Sequence, residues 1–109
     1  MISAMREDTN AVRLTFRIRR ELSDLIPSFL ANRHNDIRVG LDFIKRKDLK
    51  SLRLMGHNLA GSGAAYGFPI VSDIGREMEK AAIASDLHKA NSCIHALAHV
   101  ISNSDVIYV

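Results

Sequence analysis

The chain has 109 residues, of which 47% are hydrophobic and 25% charged, and a formal net charge of +3. That length suits one domain around one core, and the composition is that of a folded globular chain rather than a disordered or collagen-like one. One cysteine excludes an internal disulfide, and no apolar run nears the roughly 20 residues of a membrane span. The N-terminus also lacks the apolar stretch of a secretory signal, so a cytoplasmic protein that does not enter the membrane is expected. The mild positive charge suits either a nucleic-acid surface or an acidic protein partner and does not choose between them.

Residues 1–11 show no periodicity and read as a flexible arm, which leaves 12–109 as the domain. From Val12 to Arg19 the apolar Val12, Leu14, Phe16 and Ile18 alternate with Arg13, Thr15, Arg17 and Arg19. Period two is the mark of a half-buried strand. Val106 to Val109 is also β-prone, and the ends of a compact domain often meet, so these two segments are expected to pair as a small ribbon. The competing reading begins the first helix at Val12.

Four amphipathic helices are predicted next. Ser23-Asp24 reads as the start of the first, with Pro27 tolerated in its opening turn. Its stripe is Leu25, Phe29, Ile37, Leu41 and Ile44, as far as about Lys45. Asp48 caps the second helix, which runs to about Tyr66 and breaks at Gly67. Pro69 opens the third, with Ile70, Ile74, Met78 and Ala81 or Ala82 facing inward. Ser85-Asp86 caps the fourth, whose stripe is Ala90, Ile94, Leu97 and Ile101. Short connections make such neighbours antiparallel, so the predicted fold is all-α, an up-down-up-down four-helix bundle.

The second helix carries the most information. On a helical wheel Leu52, Met55, Leu59 and Tyr66 gather opposite His57, so the histidine faces solvent. Lys50, Arg53, Leu54, Ala60, Gly61 and Ala64 share its side. Glycines at 56, 61 and 63 each cost about 1 kcal/mol against alanine in a helix interior. The close approach of another body to the imidazole would explain them. A neutral imidazole is a good nucleophile near neutral pH. Arg53 and Lys50, one and two turns before it, put positive charge on the same side as the imidazole.

The run His57-Asn58-Leu59-Ala60-Gly61-Ser62-Gly63, with Tyr66-Gly67-Phe68 and then Met78-Glu79, resembles the histidine-containing phosphotransfer domain. That family's pattern is H-x-L-K-G-S, with a Leu-Glu-like pair in a later helix. Phe29 to Arg33 and the spacing from Asp48 to Arg53 are similar to the subgroup found beside response regulators. The likeness covers roughly 24–101, and it departs from the pattern at Ala60, where the family usually has lysine. The resemblance implies that His57 is the phosphoacceptor, exchanging phosphate with a response-regulator receiver domain or a hybrid sensor histidine kinase. In that arrangement the partner supplies Mg²⁺ and the acidic pocket. The expected docking surface is Leu54, Ala60, Gly61 and Ala64, with the facing part of the preceding helix. The chain is expected to be a monomeric phosphocarrier with no cofactor of its own, rather than an enzyme.

Other patterns are weaker. Gly61-x-Gly63-x-x-x-Gly67 follows no strand and has no lysine in the position a nucleotide loop requires, so no ATP site is expected. His88, His95 and His99 share a face of the last helix, but no carboxylate or thiol joins them, and no metal is expected. Cys93, Tyr66 and Phe68 read as core, and Ser62 points away from His57. Two further functions compete. One is a receiver-docking adaptor with the same fold that does not transfer phosphate. The other is a small basic nucleic-acid binder using Arg13, Arg17, Arg19 and Arg20, though no recognition helix accompanies it.

Overall fold

The computed structural model describes residues 13–109, so the expectations for the 1–11 arm and for Val12 lie outside the described residues. Alternation from Leu14 produces a strand, not the start of a helix. β1 (Leu14–Ile18) pairs with β2 (Ser104–Tyr108). The pairing is parallel, with Leu14 opposite Ser104 and Ile18 opposite Tyr108. Phe16 and the buried Ile18 point into the molecule, while Thr15 and Arg17 face out. Arg13 braces the ribbon across its start: its guanidinium grips Asp105 at 2.7 Å and donates to the carbonyls of Ser102 and Ser104.

A 3₁₀ turn (Arg20–Leu22) leads into α1 (Ile26–Arg46), followed by α2 (Leu49–Ser62), α3 (Pro69–Ile83) and α4 (Leu87–Ser102). Four packed helices and a two-stranded ribbon therefore make up the fold. The predicted starts hold at Asp48, Pro69 and Asp86, but α1 begins at Ile26, with Leu25 at its N-cap, not at Ser23-Asp24. The α-helical part of α2 ends at Ser62, and a separate 3₁₀ turn (Ala64–Tyr66) carries the chain to Gly67. Gly67 has φ +93, a conformation that glycine alone takes readily, and a Cβ there would press on Ile18 of β1.

The connections α1–α2 and α3–α4 are built alike. Lys47 and Ser85 each take a left-handed conformation, with φ 57 and 58. The Asp48 amide then returns to the Phe43 carbonyl, and the Asp86 amide to that of Ala81. These are Schellman closures, and in each the next residue is an aspartate that caps the following helix. Asp48 accepts from the Ser51 amide and Asp86 from the Lys89 amide.

The core is Leu52, Met55 and Leu59 from α2, Val71, Met78, Ala81 and Ala82 from α3, and Ala90, Cys93, Ile94, Leu97, Val100 and Ile101 from α4. Phe68 is fully buried beneath Phe16 at a ring separation of 4.6 Å and beside Phe29 at 5.1 Å, and Tyr66, half-buried, stacks on Phe29. The stripe expected for α1 is partly wrong: Leu25 is 49% and Leu41 40% exposed, and the deeply buried residues are Ile26, Phe29 and Gly40. A Cβ on Gly40 would stand 3.0 Å from Ile94, so the bare backbone of α1 lies against the core and Leu41 is turned outward.

Candidate functional site

His57 projects from the middle of α2 with its side chain 70% exposed. The reason it stands where it does lies in the two glycines that let α2 and α3 touch. A Cβ on Gly56 would be 2.6 Å from the Glu79 amide nitrogen, and one on Gly75 would be 2.4 Å from the Ala60 amide nitrogen. No side chain fits in either place, so the two backbones cross in near contact. That crossing brings Glu79 of α3 beside the histidine, and its Oε2 lies 3.3 Å from Nδ1 of His57.

The carboxylate is an acceptor only, so in a neutral imidazole this contact assigns the proton to Nδ1. Nε2 then carries the lone pair. Glu79 is half-buried and the histidine is not, so the ring is held by an anchored carboxylate while most of its side chain stays open to solvent. In the sequence Glu79 stands out only as part of the Met78-Glu79 pair. Its partnership with His57 follows from the helix crossing, and the one local signal for it was the paired glycines.

A cleft of about 490 Å³ opens beside the histidine, lined by Lys50, Ser51, Arg53, Leu54, His57 and Glu79. Both predicted cations are thus at the site, on the N-terminal side of His57. Among the described residues neither Lys50 nor Arg53 has an ion-pair partner. The Ser51 hydroxyl is committed to Asp48 at 2.7 Å. Leu54, 61% exposed, forms the apolar wall. From Leu54 a groove of about 290 Å³ runs between α1 and α2, past Asn58 to Arg33, Asp36 and Phe43.

The remaining predicted residues fall on the C-terminal side. Gly61 is exposed, and a Cβ there would meet nothing within 4 Å. Ala64 is exposed on the 3₁₀ turn, and Ala60 is half-buried where α3 crosses. The proposed reason for the three glycines needs correcting at two of them. Gly56 faces the α3 backbone, and a Cβ on Gly63 would stand 2.5 Å from the Ser72 amide. Those two serve packing within the chain, and only Gly61 leaves open surface. Ser72 is itself buried and accepts the Ala64 amide at 2.7 Å, closing the turn that ends the histidine's helix.

The other patterns do not converge on a site. His88, His95 and His99 are exposed along α4, and among the described residues no three potential ligands gather around a common point. Cys93 is a buried free thiol. No helix is long and apolar enough to cross a membrane. Comparison with family models, with curated proteins and with solved structures gave no match.

Proposed function

We propose that the chain is a histidine phosphocarrier of a two-component relay, of the histidine-containing phosphotransfer type, and that His57 is its phosphoacceptor. The observation that carries this reading is the exposed imidazole whose Nδ1 is held 3.3 Å from Glu79. In transfer from a receiver's aspartyl phosphate, the Nε2 lone pair attacks phosphorus and the acyl P–O bond breaks. The aspartate leaves as a carboxylate, and the positive charge that develops on the ring is balanced through Nδ1–H by Glu79. Lys50 and Arg53, which line the same cleft as His57, would offset the charge of the transferred group. Leu54, Gly61 and Ala64, with Ala60 at their edge, form the surface a receiver or hybrid histidine kinase would cover.

An antiparallel up-down-up-down order belongs to the same reading, supported by the two-residue link Lys47-Asp48 and the three-residue link from Ala84 to Asp86. So do a monomeric state and a cytoplasmic setting. The test is transfer from a panel of phosphorylated receivers and kinases to the chain and to His57→Gln. Acid-labile, base-stable label on the wild type alone is the expected result, and a wild type that no donor loads would sink the proposal. One observation favours a second reading, a docking adaptor without transfer. Ala60 stands where the related pattern has lysine, so the histidine's own helix carries no lysine or arginine after position 57. A receiver that binds equally well to His57→Gln and never passes phosphate would select it.

A further inference from the structure

The cleft beside His57 is an open depression rather than an enclosed cavity. Its volume of about 490 Å³ lies within the range of small-molecule sites. Resting on the phosphocarrier reading of His57, we propose that this cleft also binds small acyl phosphates, so that the histidine can be loaded by a free metabolite without a protein donor. The chemistry of the walls selects the class. Lys50 and Arg53, without ion-pair partners among the described residues, match the charge of a single phosphoryl dianion rather than a triphosphate. Leu54 offers an apolar wall to a short acyl group. Glu79 already accepts from Nδ1, and the Ser51 hydroxyl is occupied by Asp48, so neither is placed to protonate a departing oxygen. A mixed anhydride needs no such acid, because its leaving group departs as a stable carboxylate.

The step balances without a further reactant. Nε2 donates its lone pair to phosphorus, the bond from phosphorus to the bridging oxygen breaks, and the carboxylate keeps that electron pair. The Nδ1 proton stays on the ring, facing Glu79. Acetyl phosphate is the probe, read by intact mass and acid lability on the full chain, beside His57→Gln, a Lys50→Ala/Arg53→Ala double variant and a parallel assay with a phosphorylated receiver. The expected result is label on the wild type, none on His57→Gln, and loading of the double variant slower by about tenfold or more. Equal rates in wild type and double variant would assign the label to plain imidazole reactivity and overturn the cleft. A wild type loaded by the receiver but not by acetyl phosphate would overturn this inference and leave the carrier reading standing. Failure with both donors would remove both.

Discussion

Glu79 and His57 are 22 positions apart in sequence and 3.3 Å apart in space. An acceptor on Nδ1 fixes which nitrogen is free, so the tautomer is a direct test of the arrangement. In ¹⁵N spectra of the wild type, His57 should carry its proton on Nδ1. Glu79→Ala should let the two tautomers mix and slow phosphate acceptance by about tenfold or more. Glu79→Gln keeps an oxygen that can accept from Nδ1–H, so it should preserve the tautomer while losing the charge that balances the ring, and fall between the two. A tautomer that does not change in Glu79→Ala would remove the positioning role. The histidine itself was legible from the residues, because the stripe of Leu52, Met55 and Leu59 dictates which way position 57 must face. Glu79 was not, because nothing in its own helix says which element crosses it or at what height.

At the scale of elements, local chemistry read more reliably than faces did. An aspartate followed by a helix-forming run is a self-contained signal, and both Asp48 and Asp86 cap as expected. The left-handed Lys47 and Ser85 before them carry no comparable signal, since glycine is the usual occupant. Replacing Ser85 with glycine should therefore raise stability by about 0.5–1 kcal/mol, as measured by chemical denaturation. The α2–α3 crossing makes the opposite prediction. Gly75→Ala puts a methyl group 2.4 Å from a backbone nitrogen and should cost about 3 kcal/mol or more. It should also separate Glu79 from His57, so the tautomer should shift even where the variant remains folded. The α1 stripe misread Leu41 because it counted only large apolar residues, whereas Gly40 meets the core with its backbone. The same count passes over the packing role of Arg33, which is half-buried over the Phe29 ring at 4.8 Å and paired with Asp36 at 2.7 Å.

For the whole molecule, three carboxylates held below their ordinary values set the response to acid, Glu21 among them through its own backbone amide and then the Arg19 guanidinium. The hydrogen bond from the Ser51 hydroxyl, then that from its amide, holds Asp48 below its ordinary value of 3.8, and the hydrogen bond from Arg13 does the same for Asp105. A depressed carboxyl contributes stability that is complete above the unfolded value and is lost as pH falls through the folded one. Unfolding free energy should thus decline below about pH 4, and Asp48→Asn with Asp105→Asn should flatten that decline. Cys93 acts at the other end. Burial pushes its thiol above the ordinary 9.0, so its contribution is present below that value and fades as pH rises beyond it. Cys93→Ala should reduce the alkaline loss of stability, seen as a smaller fall in Tm above about pH 9. The ribbon, the four helices and most of the core were legible from periodicity. The parallel sense of the ribbon was not, because two short strands far apart in sequence pair equally well on paper in either direction.

That parallel sense has a mechanical consequence. β1 begins beside Ser104 and β2 ends beside Ile18, so tension applied at Arg13 and Val109 draws the strands along each other in opposite directions. Every rung of the ribbon, together with the Arg13–Asp105 clasp, is then loaded at once rather than opened one after another. A small helical domain closed in this way should resist stretching from its ends far better than from two points within its helices. In a single-molecule pulling experiment, Asp105→Ala should lower the rupture force for end-to-end loading and leave it unchanged when the handles are moved to α1 and α4.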